Sequence, residues 1–204
     1  MQAGSEGAAL NLTVATTGAS GSIFVRQMLQ ILDADSRVSH TNFITSDSGL
    51  RVIAEELGLT GRKNLVEQLL GHVSDKIVQQ NNSDIGANVA SGSYPSDAMI
   101  VIPCSMGTLG RIANGVGEHL IERAADVCLK EKRRLVLCVR ETPLNKIHIR
   151  NMYRAADAGA TIFPVIPALY DRPESVDEIA RQFCCRVLQH VGLAQEQMFR
   201  WKAE

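Results

Sequence analysis

The chain lacks the features that mark several large classes of protein. Its 204 residues carry a formal net charge of −1, so no basic excess points to nucleic acid or to an anionic membrane surface. No apolar run approaches the roughly 18 residues of a membrane-spanning helix, and residues 1–11 are small and polar, unlike a secretory signal peptide. We therefore expect a cytoplasmic protein without a membrane span. Residues 1–11 are predicted to form a disordered tail, and residues 12–204 a single domain with a C-terminal helix and tail.

Patterns typical of metal centres and of disulfide frameworks are also missing. The five cysteines form no C-x-x-C pair and the five histidines have no ligand spacing, so we expect buried free thiols in a reducing compartment. The chain has no D-D-x-x-D string, whose carboxylates would hold metal ions on a diphosphate. The sequence therefore predicts no metal site.

The most informative motif that is present is a glycine turn after an apolar strand. Thr17-Gly18-Ala19-Ser20-Gly21 follows the run at 12–16 and precedes a helical pattern at 22–32. Glycines let backbone N–H groups approach a phosphate, and the helix dipole favours the phosphate charge. The turn lacks the first glycine of G-x-G-x-x-G, so it fits a mononucleotide better than a dinucleotide. An NAD-dependent oxidoreductase, for which Asp47 would supply the acid after the second strand, is therefore disfavoured.

Strand-like and helical patterns alternate along the rest of the chain. Strands are predicted at 12–16, 41–44, 98–103, 135–139 and 161–165. Helices are predicted at 22–32, 48–57, 65–79, 109–112 with its flanks, 120–131, 146–158 and 175–191. Continuous apolar strands are typical of a parallel sheet that is covered on both faces. The fold class expected is α/β: a flavodoxin-like (Rossmann-like) doubly wound parallel sheet in three α/β/α layers.

Hydroxyl groups and one cation follow four of the predicted strands. In open α/β sheets, ligands bind beyond the carboxyl ends of the strands. Those ends carry the glycine turn, Thr45-Ser46, Cys104-Ser105-Met106-Gly107-Thr108 and Arg140-Glu141-Thr142-Pro143. Ser and Thr are also common helix N-caps, so any one of these segments could be a simple cap. Four such ends at one edge of a sheet together favour a ligand site.

A second set of polar residues is predicted away from the glycine turn. Arg123 and Lys130 are seven residues apart on one helix, so they share a face about 10 Å apart. With Arg133 and Arg134 they form either a cationic wall for a phosphate or a solvated face with an Asp126–Lys130 pair. The polar stretch at 81–95 is too long for a simple connection, which favours a functional loop.

Aromatic residues make up only 4% of the chain, which gives weight to Tyr170 and Trp201 in its last part. Tyr170 follows the last predicted strand, so it belongs either to the ligand edge or to the core. The lone tryptophan, Trp201, lies in a tail that would dock onto its own core or onto a neighbouring chain.

Several of these strings resemble the UbiX-type flavin prenyltransferases, a family once described as aromatic acid decarboxylases. The strings are the glycine turn, ASGS at 90–93, PCS at 103–105, ERAADV-x-LKE at 122–131, RETP at 140–143, ALY at 168–170 and RW at 200–201. The resemblance covers roughly residues 12–201. The ERAADV-x-LKE and RETPL strings are far more specific than the glycine turn.

The resemblance implies an enzyme that joins a dimethylallyl group from dimethylallyl monophosphate to N5 and C6 of reduced FMN. The prenylated FMN would serve a UbiD-type decarboxylase, in ubiquinone biosynthesis or in aromatic-acid metabolism. The family's FMN-binding positions fall on Gly18, Ala19, Ser20, Ser46, Ser105, Met106, Gly107, Thr108 and Arg140. Its positions for the substrate phosphate and prenyl group fall on Ser91, Gly92, Arg123, Lys130, Arg140, Tyr170, Arg186 and Trp201.

The resemblance also implies a mechanism without a metal ion. Cations and hydroxyls would stabilise the departing phosphate, and ring closure at C6 would release a proton to the phosphate or to Glu141. The catalytic positions are Glu141, Arg123, Lys130 and Ser20. The alternative role of Glu141 is an ion pair with Arg140 or with a neighbouring chain. Members of the family form homo-oligomers, often dodecamers, with sites near subunit boundaries.

The residues are compatible with two other functions. A flavin-dependent cysteine-type decarboxylase would share the fold but would carry a catalytic His and a P-x-M-N-x-x-M-W-like string, which does not follow Pro143 here. A flavin-binding or delivery subunit of an aromatic acid decarboxylase would keep the FMN positions and lose the phosphate cations. Both sets of residues are present, which favours the prenyltransferase.

Overall fold

A six-stranded parallel sheet forms the centre of the fold. The computed structural model describes residues 9–59, 63–196 and 198–199. The strands are β1 Leu10–Thr16, β2 Val38–Thr45, β3 Ile77–Asn81, β4 Ala98–Cys104, β5 Arg134–Val139 and β6 Thr161–Ile162. They lie in the order β3-β2-β1-β4-β5-β6, and all neighbouring pairs are parallel.

Helices cover both faces of the sheet. They are α1 Ser22–Ala34, α2 Asp47–Leu57, α3 Leu65–Leu70, α4 Met106–Ala113, α5 Leu120–Lys130, α6 Lys146–Asp157 and α7 Val176–His190, with a short 3₁₀ turn at Asn88–Ala90. Alternate strand residues point to opposite faces. Val14 and Ile100 pack with α1, α2, α3 and α7 in one core, and Ala15 and Val101 pack with α4, α5 and α6 in the other. The predicted three-layer, doubly wound α/β/α sheet is confirmed.

The strand order places a crevice between β1 and β4. Without β3 the order is that of a five-stranded flavodoxin-like sheet, and β3 adds one strand at the edge beside β2. The winding direction reverses between β1 and β4, and ligands of such folds bind at that reversal, beyond the carboxyl ends of the strands. The segments after β1 and β4 are the glycine turn and residues 105–108.

The prediction of one helix over 65–79 is wrong. α3 ends at Leu70, where Gly71 adopts a left-handed conformation with φ of 83°. Ile77–Asn81 is instead β3, an edge strand paired with β2 and buried only at Ile77. Its polar IVQQN sequence does not show the apolar run of a central strand. The polar loop at 81–95 therefore precedes the fourth strand, not the third, and the predicted last strand at 161–165 is reduced to β6.

The first strand overlaps the tail predicted at 1–11. β1 begins at Leu10, two residues before the predicted start of the domain at 12. Residues 1–8 of the predicted tail and Trp201 lie outside the described residues. Within the described part of the chain, no helix has the length and apolarity needed to span a bilayer.

Candidate active site at the carboxyl edge of the sheet

Thr17 joins the carboxyl ends of β1 and β4. Its N–H and hydroxyl donate to the carbonyl oxygen of Pro103 at 3.2 and 2.9 Å. The N–H of Ser105 in turn donates to the Thr17 hydroxyl oxygen at 2.8 Å. Thr17 is only 1% exposed, so water does not compete for these bonds. They hold the glycine turn beside the start of α4, as the FMN-binding prediction requires.

Ser46 and Ser105 cap the helices that begin at this edge. The Ser46 hydroxyl accepts from the N–H of Gly49 at 3.0 Å, and the Ser105 hydroxyl accepts from the N–H of Thr108 at 3.4 Å. The capping alternative is therefore correct for both serines. Capping is compatible with a ligand site, since it directs the positive ends of α2 and α4 to the same edge of the sheet.

Buried side chains pack at the start of α4. Met106 is 9% exposed and Thr108 is 2% exposed, so a ligand at this edge meets mainly their backbone. The Thr108 hydroxyl accepts from Ser105 at 3.2 Å and from Nη2 of Arg111 at 3.3 Å. Nε of Arg111 donates to the buried carboxylate of Glu122 at 2.6 Å. This network links α4 to α5, and no pattern in the sequence indicated it.

The first turn of α1 already has a carboxylate bound to it. Oε2 of Glu56, on α2, accepts from the N–H of Gly21 at 3.0 Å and from the N–H of Ser22 at 2.6 Å. Burial acts to raise the pKa of Glu56, but hydrogen bonds from Ser20, Ser22 and Gly21 outweigh it and hold the pKa below its usual value. Glu56 therefore takes the N–H groups of Gly21 and Ser22 that the sequence assigned to a phosphate, and it also accepts from Ser20. The other residues of the turn are Gly18 and Ala19.

Arg140 and Glu141 lie at the end of β5 and do not pair with each other. The N–H of Arg140 donates to the carbonyl oxygen of Cys104 at 3.1 Å, which brings this end of β5 to the crevice. The exposed guanidinium of Arg140 has no hydrogen-bond or ion-pair partner within 9–59, 63–196 and 198–199. Oε1 of Glu141 accepts from the N–H of Thr142 at 3.0 Å. An unpaired cation on a residue whose backbone adjoins the start of α4 fits the negative charge of FMN.

Gly92 and Lys130, two of the predicted phosphate residues, lie against each other. A Cβ atom at Gly92 would be 2.5 Å from Nζ of Lys130 and nearer still to Oε1 of Glu131, so both of these flexible side chains would have to move to admit it. Lys130 pairs with Glu131, and Arg123 pairs with Asp126 at 2.8 Å. The predicted Asp126–Lys130 pair is therefore wrong, because Asp126 binds the residue three positions before it. The hydroxyls of Ser91 and Ser93 are 2.9 Å apart in the same loop.

Arg133 and Arg134 do not extend a cationic wall toward a ligand. Arg133 donates to the carbonyl oxygens of Gly92 and Tyr94, and Arg134 donates to that of Val191. Both guanidinium groups therefore donate to backbone carbonyls rather than to a phosphate. Arg123 and Lys130 remain as the cations of that part of the prediction.

Tyr170 and Arg186 line a different part of the molecule. They border a cavity of about 600 Å³ whose apolar wall includes Phe163, Phe183 and Phe199. Nη1 of Arg186 donates to Gln189 at 2.7 Å. Among the described residues, neither the 91–93 loop nor α5 contributes to the lining. The cavity lies beside α7, on the face of the sheet opposite α5. One chain therefore does not bring all the predicted phosphate residues together.

The cysteines take no part in this edge as reactive groups. All five are buried free thiols, as predicted. Burial, helped by the charge of Glu122, raises the pKa of Cys104 to about 12. Burial likewise raises the pKa of Cys128 to about 11. In the part of the chain that the structure describes, no group of three or more His, Cys, Asp or Glu residues is arranged to hold a metal ion.

Known proteins resemble the chain over most of its length. The Flavoprotein family model matches residues 2–182. Flavin prenyltransferase UbiX of Alkalihalophilus pseudofirmus is 38% identical, over 93% of this chain and 95% of that protein. Flavin prenyltransferase UbiX of Salmonella typhimurium is 40% identical, over 94% of this chain and 97% of that protein.

Solved structures show the same similarity. A UbiX protein in complex with FMN and dimethylallyl pyrophosphate has a TM-score of 0.85 at 38% identity, over 96% of this chain and 98% of its own. A dodecameric FMN-dependent UbiX-like decarboxylase from Escherichia coli O157:H7 has a TM-score of 0.85 at 39% identity, over 95% of this chain and 100% of its own. An FMN-dependent cysteine decarboxylase of thioviridamide biosynthesis shares only the fold, at 17% identity and a TM-score of 0.57.

Proposed function

Because this chain belongs to the UbiX flavin prenyltransferase family, we propose that it joins a dimethylallyl group from dimethylallyl monophosphate to N5 and C6 of reduced FMN. The observation that carries the proposal is that Arg140, at the carboxyl edge, has no partner among the described residues, and we infer that FMN binds there. We infer a second place for an anion at Lys130, which lies with Glu131 against Gly92 at the opposite end of β5. A flavin carrier needs only the first of these places, whereas transfer from a prenyl phosphate needs both.

FMN is the flavin of this protein, and its reduced ring supplies the nucleophilic nitrogen N5. We infer that it lies along the carboxyl edge of the sheet, where two capped helices and Arg140 favour its negative charge. Thr17 keeps the two sides of that edge at a fixed distance. The residues inferred to hold FMN are Gly18, Ala19, Ser20, Ser46, Ser105, Met106, Gly107, Thr108 and Arg140.

The substrate phosphate is inferred to bind at the 91–93 loop with Arg123 and Lys130. Charge builds on the phosphate as its bond to the allylic carbon breaks, so a fixed cation stabilises the transition state more than the bound substrate. Both cations carry acidic partners, Asp126 and Glu131. The phosphate therefore competes with carboxylates for them. Cations and hydroxyls can hold a monophosphate, so the reaction is proposed to need no metal ion.

Glu141 is proposed to accept the proton that ring closure at C6 releases. It is exposed and directly follows Arg140, and within the described part of the chain only its Oε1 accepts a backbone N–H. Its other oxygen therefore has acceptor capacity for a proton. The released phosphate is the second acceptor, and Ser20 can orient the flavin from the glycine turn.

A second copy of the chain is proposed to complete the site. Tyr170 and Arg186 lie beside α7, away from Lys130 and the 91–93 loop. If all of these residues contact one prenyl phosphate, the two groups come from different subunits. The dodecameric relative from Escherichia coli supports such an assembly. We propose a homo-oligomer, most simply a dodecamer.

We propose that the prenylated FMN passes to a UbiD-type decarboxylase in the cytoplasm. Ubiquinone biosynthesis and aromatic-acid metabolism both contain decarboxylations that this product would serve. The five buried free thiols are in keeping with a reducing compartment.

The proposal is tested by anaerobic incubation of the protein with reduced FMN and dimethylallyl monophosphate, followed by mass analysis of the flavin. We expect the mass of one added five-carbon unit and a flavin that carries a fourth ring. A parallel reaction with dimethylallyl diphosphate, the ligand of one relative, is expected to be slower. A flavin of unchanged mass with both donors would refute the proposal.

Lys130→Met and Lys132→Met form a matched pair for the phosphate site. Both remove one exposed lysine charge near the end of α5, but only Lys130 lies against Gly92. We expect Lys130→Met to lose about 100-fold in kcat/KM, because removing one group that stabilises transition-state charge costs about that much. Lys132→Met should retain nearly full activity. Equal losses in both variants would show that only the overall charge matters.

A further inference from the structure

Arg133, three residues beyond α5, holds the loop that carries Ser91, Gly92 and Ser93. Its Nη2 donates to the carbonyl oxygen of Gly92 at 2.6 Å, and its Nη1 donates to that of Tyr94 at 2.8 Å. A guanidinium presents its donors in a rigid, planar fork, so two such bonds fix the orientation of the loop as well as its distance.

The main chain of Arg133 is itself held in place. Its backbone N–H donates to the carbonyl oxygen of Cys128 at 2.8 Å, which ties the residue to the last turn of α5. Arg133 is partly buried, and charged hydrogen bonds shielded from water are stronger than exposed ones. The loop is therefore attached to α5 through a residue that α5 fixes.

Arg133 is one of several contacts that hold the loop. The N–H of Tyr94 donates to the carbonyl oxygen of Ser91 at 3.2 Å, and the hydroxyls of Ser91 and Ser93 are 2.9 Å apart. Nδ2 of Asn42 donates to the Tyr94 hydroxyl at 3.1 Å and holds the far side of the turn. The bonds within the loop give the turn its shape, Asn42 ties it to β2, and Val89 packs in the core with α5. Arg133 adds the two bonds that join Gly92 and Tyr94 to the end of α5.

That place matters because Gly92 lies directly against Lys130 and Glu131. A phosphate that contacts both the loop and the Lys130 ammonium requires the two to stay at a fixed distance. Small displacements of positioning groups reduce catalysis strongly, since binding and reaction depend on geometry. We propose that Arg133 is a positioning residue for the prenyl phosphate: it does not touch the phosphate, but holds the 91–94 loop against Lys130. The proposal rests on the proposed function, because it takes the phosphate of the prenyl donor as the ligand of the loop.

The test compares Arg133→Met and Arg133→Lys with the control Arg134→Met. Arg134 also donates to a backbone carbonyl, but to that of Val191 after α7. We expect Arg133→Met to raise KM for dimethylallyl monophosphate about tenfold, with kcat lowered less than about threefold and FMN affinity unchanged. Arg133→Lys should raise KM about threefold, because an ammonium replaces only one of the two bonds. A KM that stays within about twofold of the parent, or rises equally in Arg134→Met, overturns the inference.

Two measurements test the inference without the prenyl-transfer assay. In Arg133→Met, amide hydrogen exchange should accelerate about tenfold at 91–94 and remain unchanged in β4. Dimethylallyl monophosphate should bind the variant about tenfold more weakly by calorimetry. If the parent protein makes no prenylated flavin, the proposed function fails, while unchanged exchange at 91–94 separately overturns the role of Arg133. Arg133→Gln, which keeps one donor group, serves for all measurements if Arg133→Met does not fold.

Discussion

Replacing Glu56 should destabilise the protein, although the side chain lies on the exposed side of α2. Its carboxylate accepts from the N–H groups of Gly21 and Ser22, the first orphan donors of α1. Loss of a capping acceptor costs about 0.5–2 kcal/mol, and loss of a negative charge at a helix N-terminus costs about 0.3–1 kcal/mol. We expect Glu56→Ala to lower the free energy of unfolding by about 1–2 kcal/mol, and Glu56→Gln by about 1 kcal/mol.

Glu55→Ala is the matched control for this prediction. Glu55 is the preceding residue and pairs with Arg51 at 3.0 Å in an exposed i,i+4 pair. Such pairs contribute about 0.3–0.5 kcal/mol. In a chain of this length, 1 kcal/mol shifts Tm by about 2–4 °C, so Glu56→Ala should melt about 3–6 °C below the parent and Glu55→Ala within about 2 °C of it. Thermal unfolding measures the difference in Tm, and unfolding in urea measures the difference in free energy. Both are followed by circular dichroism at one protomer concentration.

The pH dependence gives a second test of the same contact. The pKa of Glu56 is lowered by the fold, so its stabilising contribution is fully present above the ordinary glutamate pKa of about 4.3. That contribution is lost as the pH falls through the lower pKa of the folded state. The stability difference between the parent and Glu56→Gln should therefore be constant from pH 6 to 8 and shrink below about pH 4. A difference that is independent of pH, or equal destabilisation by Glu55→Ala, would refute the reasoning.

Three further predictions concern the site and the core. Glu141→Gln should slow formation of the prenylated flavin about tenfold while FMN titration shows unchanged affinity; unchanged turnover would remove Glu141 from the mechanism. A thiol reagent at pH 8 should label none of the five buried cysteines in the folded protein and all five after unfolding, because burial raises the pKa of groups such as Cys104 to about 12; rapid labelling of the native protein would contradict this. Gly192→Ala should destabilise the chain by about 1–2 kcal/mol in urea unfolding, because Gly192 has φ of 93° and its Cβ would lie 2.6 Å from Arg134; unchanged stability would show that the loop after α7 adapts.

Residues with strong local patterns could be predicted well from the sequence. β4 and β5 are continuous apolar runs buried on both faces, and their bounds differ from the predicted ones by one residue. The glycine turn, Ser46, Ser105 and Arg140 follow strands, and parallel strands bring their carboxyl ends to one edge by geometry alone. The fold class and this edge therefore followed from the chain itself.

The resemblance to a known family predicted the activity, which local patterns did not. The ERAADV-x-LKE and RETPL strings indicated the family, which the relatives confirm at 38–40% identity. Spacing on a helix placed Arg123 and Lys130 on one face, but it did not identify their partners. Asp126 binds Arg123 and Glu131 binds Lys130, since each pair lies within reach along the same segment.

Only the tertiary structure decided the contacts between distant segments. Glu56 meets Gly21 from 35 residues away, and Arg133 meets Gly92 from 41 residues away. An exposed Glu or Arg is ordinary in sequence, and its role depends on which backbone groups the folded chain leaves beside it. The same holds for β3, which is polar because an edge strand buries little. It also holds for Tyr170 and Arg186, which the sheet separates from Lys130 because helices pack on its two opposite faces.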